Sequence, residues 1–146
     1  TLQAQIVAIL ARIRRERGMA IVFVTHDLAL VSNLCDRVVV MYCGSVVEAG
    51  SVERVFRDPV HPYTRALLGS IPSRHEHVDR LQTIPGQVPS LSALPAGCAF
   101  ADRCAIARDA CRASVPDVRE QDGRRVRCFA GDPTSDYARE PQGAAR

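Results

Sequence analysis

Four cysteines near the end of the sequence, Cys98, Cys104, Cys111 and Cys128, are the residues whose type and spacing could do chemistry. Gaps of 5, 6 and 16 residues separate them. Thiols clustered this way suit a zinc ion, an iron–sulfur cluster, a disulfide or unmetallated structural packing. No C-x-x-C pair is present, which disfavours dithiol redox catalysis. The segment "CAIARDAC" is rich in helix formers and predicts a helix. On a helix, Cys104 and Cys111 would stand ~10.5 Å apart along the axis. That exceeds the ~7 Å limit for bridging two Cα atoms by a disulfide. It also strains a lone Zn²⁺, whose sulfurs lie only ~3.8 Å apart. A [4Fe–4S] cluster spreads its four thiolates wider and suits the spacing better. Zinc recovers if the helix breaks.

Other residues around the cluster have expected supporting roles. Pro95 and Gly97 bend the chain into the site, Phe100 shields one side, and Arg103 offsets thiolate charge. The module's expected job is structural, stapling a segment with few apolar residues. Cys35, at a helix end, and Cys43, at a turn, are read as small apolar fillers. His75 and His77 form an H-x-H pair without a nearby third ligand and are read as loop residues.

The elements that must position these groups follow from periodicity. Leu2, Ile6, Ile9, Leu10 and Ile13 share one helical stripe, ended by Gly18. Ala20 to Val24 is apolar without alternation, as expected of a strand covered on both faces. "DLALVSNLC" reads as a helix capped by Thr25 or Asp27. "DRVVVMYCGSVVEAG" is a hairpin turning at Cys43–Gly44. Ser51 opens a short helix, and Pro62 sits in the first turn of another. Ser73 to Pro95 is a polar, proline-dotted connector. Apolar residues thin out after Leu94, which argues against one continuous core.

Net charge is +3, with all 19 basic residues arginine and no lysine. The arginines are scattered over helix faces and short loops rather than gathered into a nucleic-acid patch. No apolar run approaches the ~20 residues of a membrane-crossing helix. Residues 2–13 already read as a helix from the middle of a domain, so the sequence is expected to be the C-terminal portion of a longer protein.

Helix, strand, helix is half of an open α/β sheet, in which ligands sit beyond strand ends. His26 occupies that place. A neutral imidazole there can donate a hydrogen bond to a phosphate oxygen or to a positioned water. "AIVFVTHDLALVSNLCDRVVVMYCGSVVEAGS" resembles the switch-histidine region of ATP-binding-cassette (ABC) ATPases. "FRDPVHPYTRALLGSIP", "IPGQVPSL" and "LPAGCAFADRC" resemble the C-terminal extension of the ATPase subunits of oligopeptide, dipeptide and nickel importers. The His61-Pro62-Tyr63 word followed by Gly-Cys-x-Phe-x-x-Arg-Cys is its most specific mark.

The resemblance implies an α/β fold made of the C-terminal part of an ABC nucleotide-binding domain plus an irregular four-cysteine metal-binding extension. The implied divisions are residues 1–58 (ATPase domain), 59–97 (extension and linker), 98–131 (cysteine module) and 132–146 (disordered tail). It further implies ATP with Mg as cofactor of the full-length protein, and His26 as the switch histidine facing the γ-phosphate. Asp27 is read as starting a helix rather than as catalytic. Cys98, Cys104, Cys111 and Cys128 are the metal ligands, and the family's association with iron–sulfur points to [4Fe–4S], with zinc as the alternative.

Implied partners are a second ATPase subunit, transmembrane permease subunits and, indirectly, a substrate-binding protein, at the cytoplasmic face of the membrane. Nucleic acid is not among them. No G-x-x-x-x-G-K-[ST] phosphate loop occurs in these 146 residues, so this chain alone is expected to be inactive. The rival readings are a free-standing four-cysteine zinc module that binds nucleic acid, and an inactive gene fragment.

Overall fold

The computed structural model describes residues 2–71 and 83–131. Helix α1 (Leu2–Arg17) ends where Gly18 takes φ +62° and the Met19 N–H returns to Arg14 O at 3.2 Å, a Schellman closure. Arg14 Nη1 also donates to Leu34 O at 3.0 Å and to Asp36 Oδ2 at 3.2 Å, tying α1 to the end of α2 (Leu28–Leu34). Asp27 is the cap of α2, accepting from the Ala29 and Leu30 N–H groups, while Thr25 Oγ1 accepts from Asp27 N–H.

The expected strand at Ala20–Val24 is absent: this stretch carries no strand hydrogen bonds, and Val22 and Val24 are 93% and 94% exposed. A strand exists only by pairing, and no other described strand lies along it.

The sheet is instead built from hairpins. Strands β1 (Arg37–Tyr42) and β2 (Ser45–Ser51) pair antiparallel around Cys43 (φ 46°) and Gly44 (φ 77°). Two successive left-handed residues are the type I′ geometry that matches strand twist. A second such hairpin joins β3 (Arg119–Gln121) to β4 (Arg124–Val126) through Asp122 (φ 51°) and Gly123 (φ 70°). Its Asp-Gly pair is a strong turn signal that the sequence reading passed over.

β4 docks on β2 with Glu48 opposite Val126 and Ala49 opposite Arg125, giving the order β1-β2-β4-β3. The α/β class therefore holds, but with a four-stranded antiparallel sheet rather than half of an open parallel one.

Helix α3 (Val52–Arg57) starts at Ser51, whose hydroxyl accepts from Arg54 N–H, and α4 (Pro62–Gly69) carries Pro62 in its first turn with His61 as cap. Between α3 and β4, the buried Arg124 reaches Asp58: Nη1 donates to its carbonyl, and Nη2 lies 3.4 Å from its carboxylate. Gly50 leaves room for that side chain, since a Cβ there would stand 2.9 Å from Arg124 Cγ.

One core spans what the sequence divided. Val40, Tyr42, Val47 and Val55 pack with Phe100, and Cys98 and Cys104 press on the same cluster. Apolar residues are few after Leu94, but those present reach back to the hairpin rather than forming a centre of their own. The pair His75 and His77, and the tail 132–146, lie outside the described residues.

Candidate metal centre

The four cysteines arrive on four different local structures. Gly97 lets the chain pass against α5 (Asp109–Ala113), because a Cβ there would overlap the Cys111 and Arg112 carbonyl oxygens. The Cys98 N–H then donates to Cys111 O at 2.7 Å, which fixes the first cysteine beside the third. A 3₁₀ turn at Ala101–Arg103 delivers Cys104, and the Ala107 N–H bonds back to Cys104 O at 3.1 Å. Cys128 follows β4 and leads into a second 3₁₀ turn, Phe129–Gly131.

The helix predicted over "CAIARDAC" forms only from Asp109 onward; Arg108, at φ −123° and ψ 172°, is extended. So short a segment makes a marginal helix by itself, and the turn after Cys104 together with the Cys98–Cys111 bond overrides propensity. The spacing argument that separated a cluster from a lone zinc therefore loses its premise.

All four cysteines line one cavity of about 20 Å³, together with His61 and Phe100. Burial pushes the Cys98 and Cys104 thiols above their ordinary pKa, and the nearby Cys111 adds to both shifts. Among the described residues, no three His, Cys, Asp or Glu side chains form a group able to hold one metal ion. The thiols thus share a pocket without focusing on a single point.

Phe100 is 3% exposed and walls the cavity, as expected. Arg103 departs from expectation. Its Nε donates to Pro85 O at 2.8 Å, Nη2 to Ile84 O at 3.1 Å and Nη1 to Tyr42 Oη at 3.2 Å. It pins the connector to the hairpin and does not line the cysteine cavity. Cys43 packs against the core as a small filler, and Cys35 is the half-buried C-cap of α2.

The His-Pro-Tyr word meets the cysteine word directly. The Phe100 ring lies 5.4 Å from Tyr63, 5.3 Å edge-on to Tyr42 and 6.0 Å from His61, centre to centre. Such tilted and edge-to-face contacts add to simple area burial. Burial and the neighbouring Tyr42 raise the Tyr63 phenol above its usual pKa. His61 is 1% exposed, and burial lowers its pKa to about 4. Its Nδ1 accepts from Tyr63 N–H at 3.1 Å.

Glu48 was missed by sequence reading. This fully buried carboxylate on β2 accepts from Val60 N–H through Oε1 and from His61 N–H through Oε2, each at 3.0 Å. The available signal was local: two backbone N–H groups before a helix-starting proline need acceptors. His26 is exposed at the bend before α2 and does not line the cysteine cavity, so the two candidate sites are not brought together.

The antiparallel hairpin is thus closed by a cysteine-bearing segment whose phenylalanine packs against the His-Pro-Tyr word. Residues 47–111 match the family described as "Oligopeptide/dipeptide transporter, C-terminal region". A Brucella ovis protein named for peptide import and ATP binding is 48% identical over 134 residues, covering 86% of this chain and 40% of the relative. A similarly named Brucella abortus protein is 43% identical over 136 residues, covering 93% and 41%. One from Brucella melitensis is 49% identical over 124 residues, covering 81% and 37%. The chain thus spans about 40% of the length of these curated relatives.

Proposed function

We propose that the chain is the C-terminal part of an ATPase subunit that energises import of peptides or related solutes. The observation carrying this reading is the 43–49% identity, over most of the chain, to proteins named for peptide import and ATP binding. The partners are a second ATPase subunit and membrane permease subunits, with a substrate-binding protein acting indirectly, at the cytoplasmic face of the membrane. No helix among the described residues is long and apolar enough to cross a membrane.

His26 acts as the switch histidine. It donates to the γ-phosphate of ATP and supports attack by water, in a reaction that depends mainly on positioning and charge stabilisation. Its exposed place before α2, held by the Asp27 cap and the Thr25 turn, leaves the imidazole accessible to a nucleotide. The phosphate loop and Mg²⁺ ligands come from elsewhere in the subunit, and these 146 residues alone do not hydrolyse ATP.

Cys98, Cys104, Cys111 and Cys128 hold a structural [4Fe–4S] cluster. The support for this choice is the chemistry of an all-cysteine donor set, four thiols that line one cavity. When bound, the cluster cross-links four short segments that have little regular structure. The protein's own part is to shield the site with Phe100 and to release thiol protons on loading. Because burial raises the Cys98 and Cys104 pKa values, loading strengthens as pH rises.

Three measurements test the reading. The coding sequence preceding Thr1 should encode a phosphate loop and a signature motif; a start codon there without them rejects the ATPase assignment. In the whole subunit, His26→Ala should slow ATP hydrolysis roughly 100-fold or more, and an unchanged rate rejects that role. Anaerobic purification with iron, sulfide and zinc analysis tests the cofactor, and zinc without iron rejects the cluster.

A further inference from the structure

We infer that the open cleft beside Arg103 is a binding site for a short apolar peptide with free termini, its carboxylate meeting Arg65 and Arg103. The inference goes beyond the ATPase reading and depends neither on it nor on a metal centre. Three segments meet at this cleft of about 460 Å³: α4 brings Arg65, the connector brings Ile84, and the cysteine segment brings Phe100, Asp102, Arg103 and Ile106. That volume lies in the range of pockets that take small molecules, roughly 300–1,000 Å³.

The charges lining the cleft do not balance. Arg103 is half-buried, and its three bonds go to neutral oxygens: the Ile84 and Pro85 carbonyls and the Tyr42 hydroxyl. Arg65 donates through Nη2 to the Pro59 carbonyl at 3.2 Å. Among the described residues, neither guanidinium is paired with a carboxylate. Asp102, the one acid of the lining, lies 3.7 Å from Arg112 instead and faces solvent.

A guanidinium held beside apolar walls gains from an anion, and its planar fork matches the two oxygens of a carboxylate. Asp102 then suits an ammonium at the ligand's other end. Ile84, Phe100 and Ile106 supply the apolar wall, and Ile106 is 38% exposed, so a ligand side chain has surface to cover. Carboxylate, apolar side chains and ammonium together are the chemistry of a short peptide.

Leucyl-leucine, titrated calorimetrically into the full 146-residue chain, should bind with a Kd on the order of 0.1–1 mM. Its C-terminal amide should bind about 10-fold more weakly, because the arginines lose their anion. N-acetyl-leucyl-leucine, which lacks the ammonium, should bind about threefold more weakly. Either blocked form binding as tightly as the free peptide overturns the inference, as does no saturable binding by about 10 mM. Leucine alone keeps both charges with one apolar side chain in place of two, and should bind about 10-fold more weakly; equal affinity overturns the peptide assignment.

Arg65→Gln alters an exposed side chain and leaves Arg103 to hold the connector, so the fold should survive. It should weaken leucyl-leucine about 10-fold, and unchanged affinity overturns the inference. Backbone amide NMR shifts need no variant: leucyl-leucine should move Ile84, Asp102 and Ile106, and shifts confined to other residues overturn the site whatever the folding of the substituted chain.

Discussion

Across the first 35 residues, Ile6 and Ile9 keep about half of their surface exposed and Val22 and Val24 nearly all of it. After residue 37, Val55, Phe100 and Val126 are exposed by 3% or less. The first region is the richer in apolar residues, yet the second holds the core. In the first region only α2, where it meets α3, buries apolar residues (Val31 and Leu34); the α1 stripe and the extended chain find no opposing layer among the described residues, and burial needs one. The later region has one: α3, through Val55, and the cysteine segment, through Phe100, pack on the hairpin in one cluster with Val40, Tyr42 and Val47. A few well-placed side chains, Phe100 above all, then achieve what a denser apolar stretch does not.

Substitutions can break this contrast, beginning with the largest effect. Phe100→Ala should destabilise the chain by about 3–5 kcal/mol, since it empties the meeting point of Tyr42, Tyr63 and His61. Denaturant unfolding would check it; a loss below 1 kcal/mol would mean that the cysteine segment does not share the hairpin core. Glu48→Ala should cost roughly 3–4 kcal/mol by stranding the buried Val60 and His61 N–H groups, read from the same unfolding curves.

Acid should act through His61 in the metal-free chain. Its folded pKa of about 4 lies below the unfolded 6.5, so the unfolded chain takes the proton first. Stability from this group is complete above pH 6.5 and is lost as pH falls toward 4, by about 3 kcal/mol in all. Unfolding midpoints across that window, with His61→Asn flattening the slope, measure it. At the small end, Val22→Thr should shift stability by less than about 0.5 kcal/mol, because the side chain is 93% exposed. A larger loss in thermal unfolding would show that the first region has a packed layer after all.

What could be read from the sequence was local. Asp27, Ser51 and His61-Pro62 mark helix starts by side-chain chemistry confined to a few residues, and Cys43–Gly44 marks a turn by its left-handed backbone. The strand at Ala20–Val24 and the helix through Ala105 failed for the opposite reason. Each depended on partners elsewhere: a neighbouring strand in one case, and the competing Cys98–Cys111 bond in the other. At the site, cysteine spacing singled out the four residues that line one cavity, and the family words lay close by. It could not reveal Glu48 and His61 beneath them, because a buried carboxylate taking two backbone N–H groups leaves no mark in composition or period.

The pairing of Glu48 with Val126 also sets an order of assembly. The β1–β2 hairpin closes over two residues and can form within microseconds of leaving the ribosome. The strand that seals its other edge, and the phenylalanine that covers its core, are made much later. Until then β2 presents an open edge and a row of apolar side chains, the kind of surface that recruits neighbouring chains. Translation speed across the intervening connector therefore sets how long that edge stays open, and slow codons there should raise aggregation of the nascent chain without altering the finished protein.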